Sequence, residues 1–226
     1  MSVLLTITEA VRLVRKNLDE LEPNGSVMYG GEDSDNASLD KLIERSLPEA
    51  INAVNLAAPV TLLEVINELP QTPFSETPTI SDGVITFTPA ISNYLRLVEM
   101  RVADSPIVVT AVLDEASAEG RKQLNRYLRG RPDRPRLVRL QGNNGSPSFK
   151  YYTTTISPFV QTGNNATIKS FAYVSEVKYN ETTPADSYTI SQRLRQNILD
   201  YTTGMVLQAM GDQRAQSYYQ KASIFA

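Results

Sequence analysis

The sequence contains no histidine, no cysteine and no tryptophan. Without cysteine there are no disulfides, no thiolate metal sites and no thiol nucleophiles. Without histidine there is no Ser-His-Asp or Cys-His arrangement and no imidazole ligand. A chain without cysteine is compatible with any redox compartment. Also missing is any run near the roughly 20 apolar residues that span a bilayer. The first residues lack the basic lead, apolar core and small-residue cleavage site of a secretory signal. The expectation is a soluble chain made in a cytoplasm, with no membrane partner, no cofactor and no metal.

What is present is ordinary globular material. The 226 residues are 41% hydrophobic and 21% charged, with 13 Pro and 11 Gly. A chain of this length buries roughly 70% or a little more of its unfolded surface, enough to fold without a staple. The formal net charge is −3, too small for the whole chain to bind nucleic acid by its field alone. The charge is unevenly spread. Residues 1–76 hold 5 basic and 13 acidic side chains, whereas residues 121–140 hold 8 basic and 1 acidic.

Periodicity divides the chain into three parts. A helix is expected from a Thr8 cap, with Ala10, Val11, Val14, Leu18 and Leu21 on one face, ended by Pro23-Asn24-Gly25. Gly30 to Ala37 reads as an acidic loop. A second helix starts at Ser38 with Leu39, Leu42, Ile43 and Leu47, and Pro48 either kinks it or opens a new one. Ala50, Ile51, Val54 and Ala57 continue it to Ala58-Pro59. Val60 to Leu69 is ambiguous between helix and strand.

From Pro70 to about Ala185 the composition turns to Thr, Ser, Val, Ile, Tyr and Pro. Expected strands are Gly83–Pro89, Tyr94–Val102, Ile107–Leu113, Arg136–Gln141, Ser148–Ser157 and Ala166–Tyr179. Asp82-Gly83, Gly142 to Gly145 and Gly163 to Asn165 are turn signals. One helix is expected between about Ser117 and Arg129. Helical spacing returns with Ile190, Leu194, Ile198, Tyr201 and Met205, and Gly211-Asp212 ends one helix and caps the next.

The expected fold class is α+β. A helical bundle of residues 1–70 and 186–226 carries an inserted antiparallel β-rich domain, 71–185.

The candidate sites are few. Arg121, Lys122, Arg126, Arg129, Arg131, Arg134, Arg136 and Arg139 form a cationic cluster. It suits a DNA-facing surface, or an intersubunit contact with an acidic neighbour. Asp33, Asp35 and Glu44 fall at positions one, three and twelve of a calcium loop. Positions five and six are Ala37 and Ser38, where Asp or Asn and then Gly are needed, so an acidic loop before a helix is the reading kept. Gly142 to Gly145 lacks the Gly-Lys-Ser/Thr ending of a phosphate loop. Tyr218 and Tyr219 are adjacent and cannot face one way, so one is a candidate contact residue. No carboxylate pair is marked for hydrolysis, and that class stays a third possibility.

Three segments carry a resemblance: Ser38–Pro59, SLDKLIERSLPEAINAVNLAAP; Asn93–Val102, NYLRLVEMRV, with Gln123–Pro135, QLNRYLRGRPDRP; and Leu199–Ala222, LDYTTGMVLQAMGDQRAQSYYQKA. In this order the chain resembles the head-to-tail adaptor, or portal-attached ring protein, of short-tailed crAss-like bacteriophages, related in plan to the tail tubular protein A family. The resemblance implies a non-enzymatic virion protein of the tail or neck, assembled in the host cytoplasm. It implies a homo-oligomeric ring, commonly a dodecamer, beneath the portal protein. Such a ring completes the head, provides the platform for the next tail or ring protein, and lines a channel for DNA in transit. The tail with Tyr218, Tyr219, Ile224 and Phe225 is then a candidate for docking on the portal. The alternative is a nucleic-acid-binding module using the cluster of residues 121–139.

Overall fold

A computed structural model describes residues 2–18, 33–69, 79–81, 83–87, 91, 93–102, 107–125, 127–131, 133–140, 148–153 and 166–223. The fold is mixed α+β. The first elements are β1 (Ser2–Thr6), α1 (Ile7–Asn17), α2 (Asp33–Ala57) and a 3-10 turn at Val60–Leu62. The strands β2 (Asn67–Leu69), β3 (Thr79–Ser81), β4 (Val84–Thr86), β5 (Tyr94–Val102), β6 (Val108–Val109) and β7 (Val112–Asp114) follow. Then come α3 (Ala118–Lys122), β8 (Arg136–Leu140), β9 (Ser148–Tyr152), β10 (Ala166–Ser175) and β11 (Ser187–Ser191). A 3-10 turn at Gln192–Leu194, α4 (Arg195–Ala209) and α5 (Ala215–Ala222) end the chain. The contacts divide these into two compact units, Met1–Val65 with Glu176–Ala226, and Ile66–Ser175. The sequence expectation set its boundaries near residues 70 and 185.

In the first unit, β1 and β11 pair antiparallel from Ser2↔Ser191 to Thr6↔Ser187, so the segments before and after the β unit share one ladder. Neither strand was expected. The Thr6 hydroxyl accepts the N–H of Glu9, so the cap of α1 is Thr6 rather than Thr8. A single helix runs through Asp33–Ala57, which corrects both the start at Ser38 and the acidic loop before it. It also removes the calcium loop, because helical backbone over 33–44 cannot wrap an ion. Pro48 sits inside this helix, where it forgoes one i→i−4 hydrogen bond.

Contacts from α1, α2 and α5 gather on α4. Ile198, Leu199, Val206 and Leu207 are buried there with Thr202 and Thr203. Each threonine hydroxyl donates to the carbonyl four residues earlier, 2.8 Å away, so neither buried oxygen is left open. A Cβ on Gly204 would lie 3.0 Å from the Tyr219 ring, so its lack of a side chain lets α5 approach. The stripe expected from Ile190 is partly wrong, since Ile190 lies in β11 and Leu194 in the turn before α4. Gly211, at φ +75°, ends α4 as expected. The carboxylate of Asp212 then accepts the N–H of Arg214.

The second unit is a nine-stranded sheet in the order β6-β5-β10-β3-β4-β9-β8-β7, with β2 also paired to β10. Gly83, at φ +79°, closes the tight turn that sets Ser81 opposite Val84. The long strand β10 pairs with β5, β2 and β3, and its ladder with β5 has three register shifts. Phe87, Tyr94, Phe149, Phe171 and Tyr173 meet in a buried aromatic cluster, with Phe87 and Phe171 centroids 4.8 Å apart at 65°. One pair departs from the antiparallel expectation: β7 and β8 run parallel, Val112↔Leu137 to Asp114↔Arg139. Parallel neighbours need a long return connection, and that connection carries most of the cationic cluster.

Candidate functional site

The connection begins where β7 ends. The Asp114 carboxylate accepts the N–H of Ala116, and its carbonyl accepts both the N–H and the hydroxyl of Ser117. Ser117 in turn caps α3 by accepting the N–H of Gly120 at 2.9 Å. A Cβ on Gly120 would meet the Asp114 carbonyl oxygen at 2.0 Å, so only glycine lets α3 fold this close to the strand.

The expected helix to Arg129 stops at Lys122. Its stop is held by Gln123, which is 3% exposed. The Gln123 amide donates to the Glu119 carbonyl and its oxygen accepts the N–H of Gly130 at 2.8 Å. One side chain therefore ties both ends of residues 119–130 together. Arg131 and Arg134 then exchange two backbone hydrogen bonds, of 3.1 and 2.9 Å, across a tight turn that leads into β8.

The cations do not share one environment. Arg121 and Lys122 are exposed at the end of α3, and Lys122 pairs with Glu119, whose carboxyl it holds below its ordinary range. Arg131 and Arg134 are exposed on either side of the turn. Arg136 is half-buried on β8. Arg129 donates to the Leu124 carbonyl and lies 5.9 Å from the Tyr152 ring centroid, and Arg139 lies 5.6 Å from that of Tyr94. Arg129 is half-buried and Arg139 exposed, and each has a cation–π contact with a tyrosine of the β unit. Burial pushes the Tyr94 hydroxyl up to about 12, against the opposing pull of Arg139. Arg126 lies outside the described residues.

A second property went unread in the sequence. Leu124 is 68% exposed, Tyr127 63% and Leu128 57%, all inside the cationic stretch. In a helix running to Arg129, Leu124 and Leu128 would share one face at i,i+4. Because α3 stops early, they stand out from the loop instead. Burying each such side chain is worth roughly 1.5–3 kcal/mol, and along the chain the three are flanked by the exposed cations Arg121, Lys122, Arg131 and Arg134.

The adjacent tyrosines of α5 diverge. The Tyr218 hydroxyl donates to the Asn17 carbonyl at 2.9 Å, while the Tyr219 hydroxyl donates to Gln208 and its ring meets Tyr201 edge-on at 5.0 Å. Both are half-buried within the first unit. Ile224 and Phe225 lie outside the described residues. Among the described residues no group of three acids is placed to hold a metal ion, and no helix is long and apolar enough to cross a membrane. No protein-family model matches the chain, and no curated protein resembles it at a significant level.

Proposed function

We propose that this chain is a structural virion protein, a head-to-tail adaptor that forms a ring beneath the portal of a short-tailed bacteriophage. In this reading the helices of the two chain ends form a bundle that meets the portal and neighbouring copies. The β unit is the insert that faces the next ring or tail protein, and DNA passes through the central channel. The observation that carries it is the β7–β8 connection with Leu124, Tyr127 and Leu128 exposed among Arg121, Lys122, Arg131 and Arg134. Large apolar side chains rimmed by cations suit contact with another macromolecule. An acid-rich first third and a cation-rich loop on one chain suit the unlike faces of a head-to-tail ring.

Electron microscopy of virions, or of the protein mixed with its portal, tests the reading. A ring of this chain directly below the portal is the expected result, and absence of the chain from the virion overturns it. The exposed Arg121, Arg131 and Arg134 also support the second reading, a nucleic-acid-binding module. That reading requires salt-dependent DNA binding that is lost when Arg126, Arg129 and Arg131 become Ala.

A further inference from the structure

The first unit holds an open cleft of about 580 Å³ where the start of α1, the middle of α2 and residues 179–188 come together. Its wall carries Glu44, Asp186, Tyr179 and Tyr188, with Thr8 at the edge. Neither carboxylate is ion-paired among the described residues. Arg45, one residue on from Glu44, is paired with Glu181 and lies 6.0 Å from the Tyr179 ring centroid. One of the lining tyrosines, Tyr179, thus already takes a guanidinium against its ring. Two acids and two tyrosines around an open space large enough for more than one side chain match further guanidinium groups by charge and chemistry. The β unit presents the complementary object. Arg131 and Arg134 are exposed on a tight turn beside Leu124, Tyr127 and Leu128, and neither has an ion pair among the described residues.

We propose that the loop of residues 121–136 of one copy seats in this cleft of the next copy. Arg131 and Arg134 meet Glu44 and Asp186, and the exposed leucines and Tyr127 cover the apolar part of the cleft rim. The contact joins two different patches, so it repeats from copy to copy and closes only as a ring or runs on as a filament. The inference deepens the adaptor reading and rests on it for the ring.

The absence of native cysteine makes a clean trap. Full-length Leu128→Cys and full-length Ala185→Cys are mixed under oxidised glutathione. Because the two cysteines sit in different variants, a mixed disulfide forms only between copies. Leu128→Cys mixed with Leu56→Cys, an exposed position away from the cleft lining, is the control. The expected mixed-disulfide yield is about tenfold above that control, equivalent to about 1.4 kcal/mol of preferred contact. It falls as salt screens the charges. Arg131→Glu with Arg134→Glu in the loop partner abolishes the excess, and Glu44→Lys with Asp186→Lys in the cleft partner restores it. Thermal melts of each variant separate lost contact from lost folding, and the restoration step cannot arise from an unfolded partner. A yield at the control level overturns the inference. So does a yield indifferent to the charge reversals, or a loop that binds only duplex DNA. The ring reading fails separately: trapping without the chain in virions overturns the adaptor and keeps the interface, whereas a ring without trapping does the reverse.

Discussion

The side-chain amide of Asn52 pairs with both backbone groups of Val177: its nitrogen donates to the carbonyl at 2.7 Å and its oxygen accepts the N–H at 2.8 Å. A side chain on α2 thereby behaves as a short length of strand. It fixes the start of the segment that carries Tyr179 toward the cleft. Asn52→Ala leaves two partly buried backbone groups unsatisfied, at about 1–3 kcal/mol for each uncompensated group. Asn52→Asp sets a carboxylate oxygen against the Val177 carbonyl and is expected to cost at least as much. Urea unfolding of both variants checks the order.

The loop of the β unit depends on Gln123. Gln123→Ala removes the acceptor from the buried Gly130 N–H and is expected to cost about 1–3 kcal/mol. Limited proteolysis should then cut within residues 121–131 before the rest of the unit. Gly130→Ala should be the more damaging change, because a Cβ there lies 2.2 Å from the Tyr152 carbonyl oxygen and backbone must shift to admit it.

Phe171 is fully buried and faces Phe87, Tyr94, Phe149 and Tyr173 at centroid distances of 4.8 to 6.4 Å. Phe171→Ala is expected to cost about 3–5 kcal/mol. Calorimetry should show a lowered transition, while Phe171→Leu loses distinctly less.

Asp200 is a buried carboxyl on α4, and burial raises its pKa although Gln196 donates to it and Lys221 opposes the shift. The folded state therefore holds this proton more tightly than the unfolded chain. Its contribution is full below the unfolded carboxylate range, near about 3.9, and is lost as pH rises through the folded value. Asp200→Asn should melt higher than the parent at pH 7, with the difference closing toward pH 3. A higher melting temperature for the parent at pH 7 would contradict this.

Tyr94 gives the alkaline counterpart. Its hydroxyl is pushed up to about 12 by burial, whereas an unfolded tyrosine ionises near about 10. The neutral phenol favours the fold, so this contribution is present below about 10 and is lost as pH rises through about 12. Absorbance titration near 295 nm should show a late-ionising tyrosine that disappears in Tyr94→Phe. In Arg139→Ala it should ionise later still, since the nearby guanidinium lowers the value.

The sequence patterns that proved readable are those whose burial follows one period. Tyr94–Val102 is legible because apolar residues recur every second position on either side of the adjacent Leu97 and Val98, and Gly83 marks the β3–β4 turn because its φ is positive. Helical spacing misled where a strand and a helix happen to continue it, as from Ile190 through Leu194 to Ile198. The strands β1 and β11 pair over 180 positions apart, and no local pattern announces a partner at that distance. At the loop the cations were legible as a charge run. The exposure of Leu124 and Leu128 was not, because it follows from a stop imposed by Gln123 and by the parallel pairing of β7 with β8.

That β1–β11 ladder also sets an order of events during synthesis. The β unit is one unbroken stretch, Ile66–Ser175, and its last strand leaves the ribosome while the chain is still growing. The helical unit has no such freedom. Its strand β1 and helices α1 and α2, made before the β unit, touch one another but gain the ladder with β11 and the packing on α4 only after it. A chain that stopped at Ser175 would thus hold a finished β unit beside a β1 whose pairing strand had never been made.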